Sequence, residues 1–148
     1  APLFLAALAA WTEGDAVGLG ARLRLSNRAT ERMAAATAAA RRLPRDLDAV
    51  VARRLLHDLD VETYRDALVL AAARRRIADA AVAPHLDLPD RWSVPRLPIG
   101  GRDLARFGLT GGPEVGRLLA RARAAWVASD FRLDRDALLA EVDRQIGR

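Results

Sequence analysis

Alanine fills 32 of the 148 positions and leucine 23, while phenylalanine, tryptophan and tyrosine together make up 5%. A chain so composed is confined to helices. Alanine loses no side-chain entropy in a helix and leucine loses little, whereas a sheet core draws on aromatic residues that are scarce here. No strand pattern of useful length interrupts this background, and no internal repeat divides it. The fold class is therefore all-α.

Apolar residues recurring at three and four positions, each run preceded by Asp or Ser, mark out the individual helices. A short helix is expected over Pro2 to Trp11, ending before Gly14. Asp15 then caps a second that reaches Leu23 or Leu25. Ser26 and Asn27 start a third running to Leu43, with Met33, Ala36, Ala40 and Leu43 on its inner face, and Pro44 stops it. Asp46 is expected to cap a helix carrying Leu47, Val50, Val51 and Leu55. Asp60 caps a longer one carrying Val61, Tyr64, Leu68, Ala71 and Ala72. These make an antiparallel helical array over residues 1–83.

Prolines 84, 89, 95 and 98 forbid a continuous helix across residues 84–98, which reads as an extended, proline-rich linker. Residues 99–148 form a small helical tail. It begins with a short helix from Arg102 to Phe107 ended by Gly108, followed by a turn at Gly111 and Gly112. A helix starting at Pro113 comes next, with Val115, Leu118, Leu119, Ala122 and Trp126 inward. The last helix follows Asp134, with Leu138, Leu139 and Val142 inward.

Composition removes several kinds of chemistry. Without cysteine there is no disulfide framework, thiolate metal site or thiol nucleophile. His57-Asp58 resembles part of an HD-type phosphohydrolase site, but the other histidine, His85, lies in the linker, so no metal site is expected and His57 reads as a helix C-terminal residue. No Gly-x-Ser-x-Gly turn supports a nucleophilic triad. No catalytic residue is assigned. No apolar run approaches the ~18 residues of a membrane span, and the apolar start from Pro2 to Ala10 lacks the basic flank of a signal peptide, so a soluble, cytoplasmic chain with no membrane partner is expected. The chain begins at Ala1 in mid-pattern, which points to a piece of something longer.

The 24 basic residues against 19 acidic ones give a net charge of +5, and all 24 are arginine. Arginine presents a planar donor fork that suits phosphate. Arg117 and Arg121 stand one turn apart, with Arg123 on a neighbouring face, and Arg102 and Arg106 are also four apart. They are candidates for binding a polyanion, the alternative being an ordinary charged surface. Gly100-Gly101 and Gly111-Gly112-Pro113 lead into helix starts, where backbone N–H groups bind anions and glycine lets a phosphodiester approach; loop geometry is the competing explanation. Arg74, Arg75 and Arg76 fan around a helix end and read as solvated. Trp92 either stacks on a base or pins the linker.

The run Leu97-Pro98-Ile99-Gly100-Gly101-Arg102-Asp103-Leu104, then Phe107-Gly108-Leu109, Gly112-Pro113-Glu114-Val115-Gly116 and Leu118-Leu119, resembles the C-terminal signature of the bacterial CCA tRNA nucleotidyltransferase/poly(A) polymerase family. Trp126, Phe131 and Leu138-Leu139 fit that family's closing segment. Arg22-Leu23-Arg24-Leu25-Ser26-Asn27 and Tyr64-Arg65-Asp66-Ala67-Leu68 are looser matches upstream. The resemblance implies a body and tail that hold the acceptor and TΨC arms of tRNA. The family's magnesium-binding carboxylates lie in an N-terminal head that uses CTP and ATP, and its nucleotide-reading Glu-Asp-x-x-Arg motif lies in a neck. Neither motif occurs here, so this chain is expected to hold no cofactor and to catalyse nothing itself.

The partner so implied is tRNA, with no DNA expected. Its candidate contacts are Gly101, Arg102, Arg106, Gly111, Gly112, Arg117, Arg121 and Arg123. A grip on A-form RNA through shape and phosphates suits distributed arginines, and the sparse aromatics argue against a base-stacking platform. The other readings are the same region of a poly(A) polymerase, or a helical protein-interaction scaffold with no RNA function.

Overall fold

The computed structural model describes residues 15–74 and 76–147. Among them are eight α-helices and two 3-10 segments with no strand, so the fold is all-α. The helices are α1 (Ala16–Arg22), α2 (Asn27–Arg42), α3 (Ala49–Asp58), α4 (Val61–Ala73), α5 (Asp79–Val82), α6 (Leu88–Arg91), α7 (Pro113–Ala128) and α8 (Arg135–Ile146). The 3-10 segments are Ala83–His85 and Gly101–Phe107. The helix expected over Pro2 to Trp11 lies outside the described residues. Two compact units result, the first ending at Val94 and the second beginning at Pro95.

Short polar side chains start these helices by accepting an otherwise orphaned N–H. Asp15 accepts from Gly18 at 2.8 Å, Ser26 from Ala29 at 3.2 Å and Asp134 from Ala137 at 2.9 Å. Asp60 takes the N–H groups of Glu62 and Thr63, both at 3.0 Å, and the Thr63 hydroxyl at 2.6 Å. Burial works against the Asp60 carboxylate, but the Thr63 and Glu62 hydrogen bonds and the nearby Arg32 charge outweigh it and hold its pKa below the usual value. The Asp60 contribution to stability is thus present above the ordinary carboxylate range and lost as pH falls through the lowered pKa.

One cap departs from expectation. Asp48, not Asp46, caps α3, accepting from Val51 at 2.8 Å. Leu47 therefore stays outside the helix, buried just before the cap, and shares the core with Ala52 one turn in, the arrangement of a hydrophobic staple. The inward face shifts with it: Ala52 and Leu56 are buried, while Val51 and Leu55 pack only partly against the core.

The first unit is built around α4, which buries Thr63, Tyr64, Asp66, Ala67, Leu68, Leu70 and Ala71. Its main neighbour is α2, whose Met33, Ala36 and Ala40 are buried as expected. Val61, expected inward, is 42% exposed, because it is the first residue of α4 in the turn that also presents Glu62 to solvent. Where α2 meets α4, Arg32 donates Nε to Asp66 at 2.7 Å and Nη1 to Glu62 at 2.5 Å. Asp66 is buried, and its hydrogen bond is the main cause that raises the Arg32 pKa still further.

Residues 84–91 are not part of the extended linker that the prolines suggested; only from Trp92 does the backbone run without a helix. Pro84 and Pro89 sit in the first turns of a 3-10 segment and of α6, where a missing N–H costs nothing, so prolines that forbid one long helix begin two short ones. The Tyr64 hydroxyl donates to the His85 carbonyl at 2.8 Å, and Arg65 donates to the Leu86 carbonyl at 3.2 Å and to Asp90 at 2.8 Å. His85 Nε2 donates to the Leu47 carbonyl at 3.3 Å, and Trp92 packs against the first unit's core, which gives it the pinning role.

The second unit has its own core of Ile99, Leu104, Val115, Leu118, Ala122, Trp126, Leu138, Leu139 and Val142, with Leu119 only partly buried. Trp126 meets Phe131 edge-on, with ring centroids 5.0 Å apart. Ser129 closes the turn between α7 and α8, donating to the Trp126 carbonyl at 2.7 Å and accepting the N–H groups of Arg132 and Leu133.

Tyr64 supplies a test of the first unit. Its ring is fully buried, and burial is the main cause that pushes its pKa up from 10.0 to about 12. A pKa raised on folding gives stability that is complete below the unfolded value and is lost as pH rises through the folded one. Chemical denaturation from pH 9 to 12 should show stability falling across that window, and Tyr64→Phe should remove Tyr64's share of the slope. At pH 7 the same variant should lose about 1 kcal/mol through the unpaired His85 carbonyl.

Candidate nucleic-acid interface

The candidate surface is the outer face of α7. Gly108 at φ 79° ends the 3-10 segment and Gly112 at φ 93° caps α7, so both sit in the left-handed region that glycine adopts without strain. Pro113 then takes the first helical position. With the stripe from Val115 to Trp126 turned inward, the exposed residues of α7 include Gly116, Arg117, Ala120, Arg121, Arg123 and Ala124. At roughly 100° per residue, Gly116, Ala120 and Ala124 form a shallow floor spanning about 80°, with Arg123 on one edge and Arg117 and Arg121 on the other.

All five candidate arginines, Arg102, Arg106, Arg117, Arg121 and Arg123, are exposed. None pairs with a described carboxylate, whereas Arg32, Arg65, Arg91, Arg132, Arg135 and Arg144 all do. Arg106 lies 5.4 Å from the centroid of its neighbour Phe107. The structure brings Arg117 and Arg121 into one row, about 40° apart on α7. It does not do so for Arg102 and Arg106. Their segment is a 3-10 helix, in which residues three apart eclipse, so a spacing of four turns the two side chains about 120° away from each other.

The glycines divide by structural need. Gly101, Gly111 and Gly112 are exposed, but of these only Gly112 has a positive φ. A Cβ on Gly111 or Gly116 would meet nothing within 4 Å, and one on Gly101 would make only an ordinary 3.7 Å contact with Val115. The two helix starts present fewer free N–H groups than expected. Pro113 has no N–H, Glu114 places a carboxylate in the first turn of α7, and the Gly100 N–H is taken by Asp103 Oδ2 at 2.7 Å. That hydrogen bond, followed by the one from Arg135 to Asp103 Oδ1 at 2.6 Å, holds the Asp103 pKa below the usual carboxylate value.

Elsewhere, Arg76 donates to the Arg41 carbonyl at 2.8 Å and so caps the C-terminal turn of α2, while Arg75 lies outside the described residues. His57 lies in the last turn of α3, its Nδ1 2.8 Å from Asp58. Among the described residues no three His, Cys, Asp or Glu side chains group as metal ligands, and no helix is long and apolar enough to cross a membrane. Sequence periodicity alone did not single out the small floor of Gly116, Ala120 and Ala124; a helical projection of α7 would have shown it.

An all-α unit with an arginine-edged helix face is the class that the geometry defines. No family model matches the chain. Part of it is similar to enzymes called CCA tRNA nucleotidyltransferase 1, mitochondrial. Identity is 39% over 59 residues to the Danio rerio protein, covering 40% of this chain and 14% of that protein. It is 37% over 54 residues to the Mus musculus protein and 33% over 54 residues to the Homo sapiens protein, each covering 36% of this chain and 12% of the relative. The matched stretch is thus about one-seventh of the Danio rerio protein's length, and slightly less of the other two.

The division of the glycines predicts opposite effects of one added methyl group. Gly108→Ala should lower stability by about 1–2 kcal/mol, the cost of a left-handed conformation with a Cβ, and Gly112→Ala by about 1–3 kcal/mol, because φ 93° with ψ 179° is open essentially to glycine alone. Gly116→Ala should raise it by up to about 1 kcal/mol, because the site is helical and open. Thermal midpoints of the three variants check both signs.

Proposed function

We propose that this chain is a tRNA-binding portion of a CCA-adding tRNA nucleotidyltransferase. The second unit grips the RNA by its phosphates, and the chemistry is carried out by a catalytic head, using Mg2+ with CTP and ATP, that this chain does not contain. The observation that carries the reading is the row of Arg117 and Arg121, exposed on α7 with neither paired to a described carboxylate. An arginine with an internal partner is neutralised before any ligand arrives; these are not. The small floor between them and Arg123 lets a backbone lie close to the helix, and phosphate contacts of this kind position RNA without reading its bases.

The partial identity to enzymes named for CCA addition supports this parentage over a poly(A) polymerase. The signature also fits a scaffold role for its apolar members: Leu104, Val115 and Leu118 are core, and Gly108 and Gly112 shape the turns. That leaves the arginines as the residues facing solvent, where a polyanion would meet them.

Changing Arg117 and Arg121 together to alanine should weaken tRNA binding about tenfold or more at moderate salt, since each neutralised phosphate adds to affinity, with little change in the thermal midpoint. Fluorescence anisotropy with labelled tRNA measures the first quantity and calorimetry the second. Unchanged affinity in the double variant would remove α7 from the interface.

A further inference from the structure

A carboxylate beside an arginine that is to meet a polyanion works against binding, yet Asp103 directly follows Arg102, an exposed arginine with no described carboxylate paired to it. Its surroundings account for it. Oδ2 accepts the Gly100 N–H at 2.7 Å, the Asp103 N–H donates to the Gly100 carbonyl at 3.0 Å, and Oδ1 accepts Arg135 Nη2 at 2.6 Å. One oxygen closes the first 3-10 turn and the other ties that turn to the first residue of α8. Leu104, the next residue, is fully buried. Gly101 and Arg102 therefore lie between two anchored points, and Arg102 is exposed.

We propose that Asp103 is a positioning residue of the RNA-binding face: it aims Arg102 at the phosphates and holds Arg135 out of the phosphate-neutralising set. This rests on the RNA-binding reading above. It makes a forecast opposite in sign to that of charge alone. Removing an acid beside a polyanion site, and freeing Arg135 as well, strengthens binding if Asp103 is merely a nearby charge. If Asp103 aims Arg102, removing it weakens binding in spite of the added positive charge.

The test is a double-mutant cycle on the full 148-residue chain, with tRNA affinity read by anisotropy at one fixed salt concentration. Asp103→Asn should weaken binding about threefold or more, and Arg102→Ala should weaken the wild-type chain by a similar factor but change the Asp103→Asn chain by less than about 1.5-fold, the non-additivity of two residues that act together. Arg117→Ala should cost the same in both backgrounds, a selectivity that general loosening of the fold would not give. If Asp103→Asn lowers the thermal midpoint substantially, Asp103→Ser replaces it, keeping an acceptor for the Gly100 N–H while removing the Arg135 pair, with the same expectation. Equal or tighter binding by the Asp103 variant, or an undiminished Arg102 penalty in its background, overturns the positioning role while leaving the RNA-binding reading standing. A wild-type chain that does not bind tRNA overturns both.

Discussion

Asp66 lies in the second turn of α4 at 3% exposure, and Arg32, from a helix 34 residues earlier, donates to it at 2.7 Å. The first unit depends on that contact. On the α2 side the contact is made partly by Ala36 and Ala40, which let the backbones approach but bury little apolar area per residue. A carboxylate enclosed between such helices is tolerable only with a cation against it, and removing one partner from a buried pair typically costs about 3–5 kcal/mol. The pair also fixes the register of α2 against α4, because the same guanidinium reaches Glu62 one turn back. With that register set, the Tyr64 hydroxyl and the Arg65 guanidinium meet the carbonyls of His85 and Leu86 and hold the following turns.

Arginine thus serves two purposes in a chain whose 24 basic residues are all of that type. Arg32, Arg65, Arg76 and Arg91 satisfy carboxylates or carbonyls of the first unit, and Arg135 does the same in the second. The arginines of α7 have no such duty among the described residues, so their charge remains available. Net charge alone does not distinguish these uses, and it overstates how much of the positive surface a polyanion could use. The relevant quantity is the local, unpaired charge of the α7 face.

Much of this architecture was legible from the sequence. Asp15, Ser26, Asp60 and Asp134 announced their helices because capping is a local interaction, and the inward faces of α2 and α7 followed from periods of three and four. What was missed depended on contacts distant in sequence or on backbone choices of small energy. Asp46 and Asp48 offered rival caps, and the burial of Leu47 decided between them. The helix read over Arg102 to Phe107 is a 3-10 segment, which realigns Arg102 and Arg106 although every residue type suits either helix. Prolines 84 and 89 suggest breakers rather than starters in the sequence because the partners that hold their turns, Tyr64 and Arg65, come some twenty residues earlier. In the candidate site, the row of Arg117 and Arg121 was visible in the spacing, whereas the engagement of Asp103 by Arg135 was not.

If this chain grips tRNA through phosphate neutralisation, as proposed, its affinity must fall steeply with salt. Titrating the 148-residue chain against tRNA from 50 to 200 mM salt should give a straight line of log affinity against log salt, falling with a slope of about −2 to −4, as expected when several arginines displace counterions. Binding should also be weaker to an unstructured single strand of equal length. A slope near zero, or equal affinity for folded and unstructured RNA, would contradict the account and return the arginine face to the role of an ordinary solvated surface.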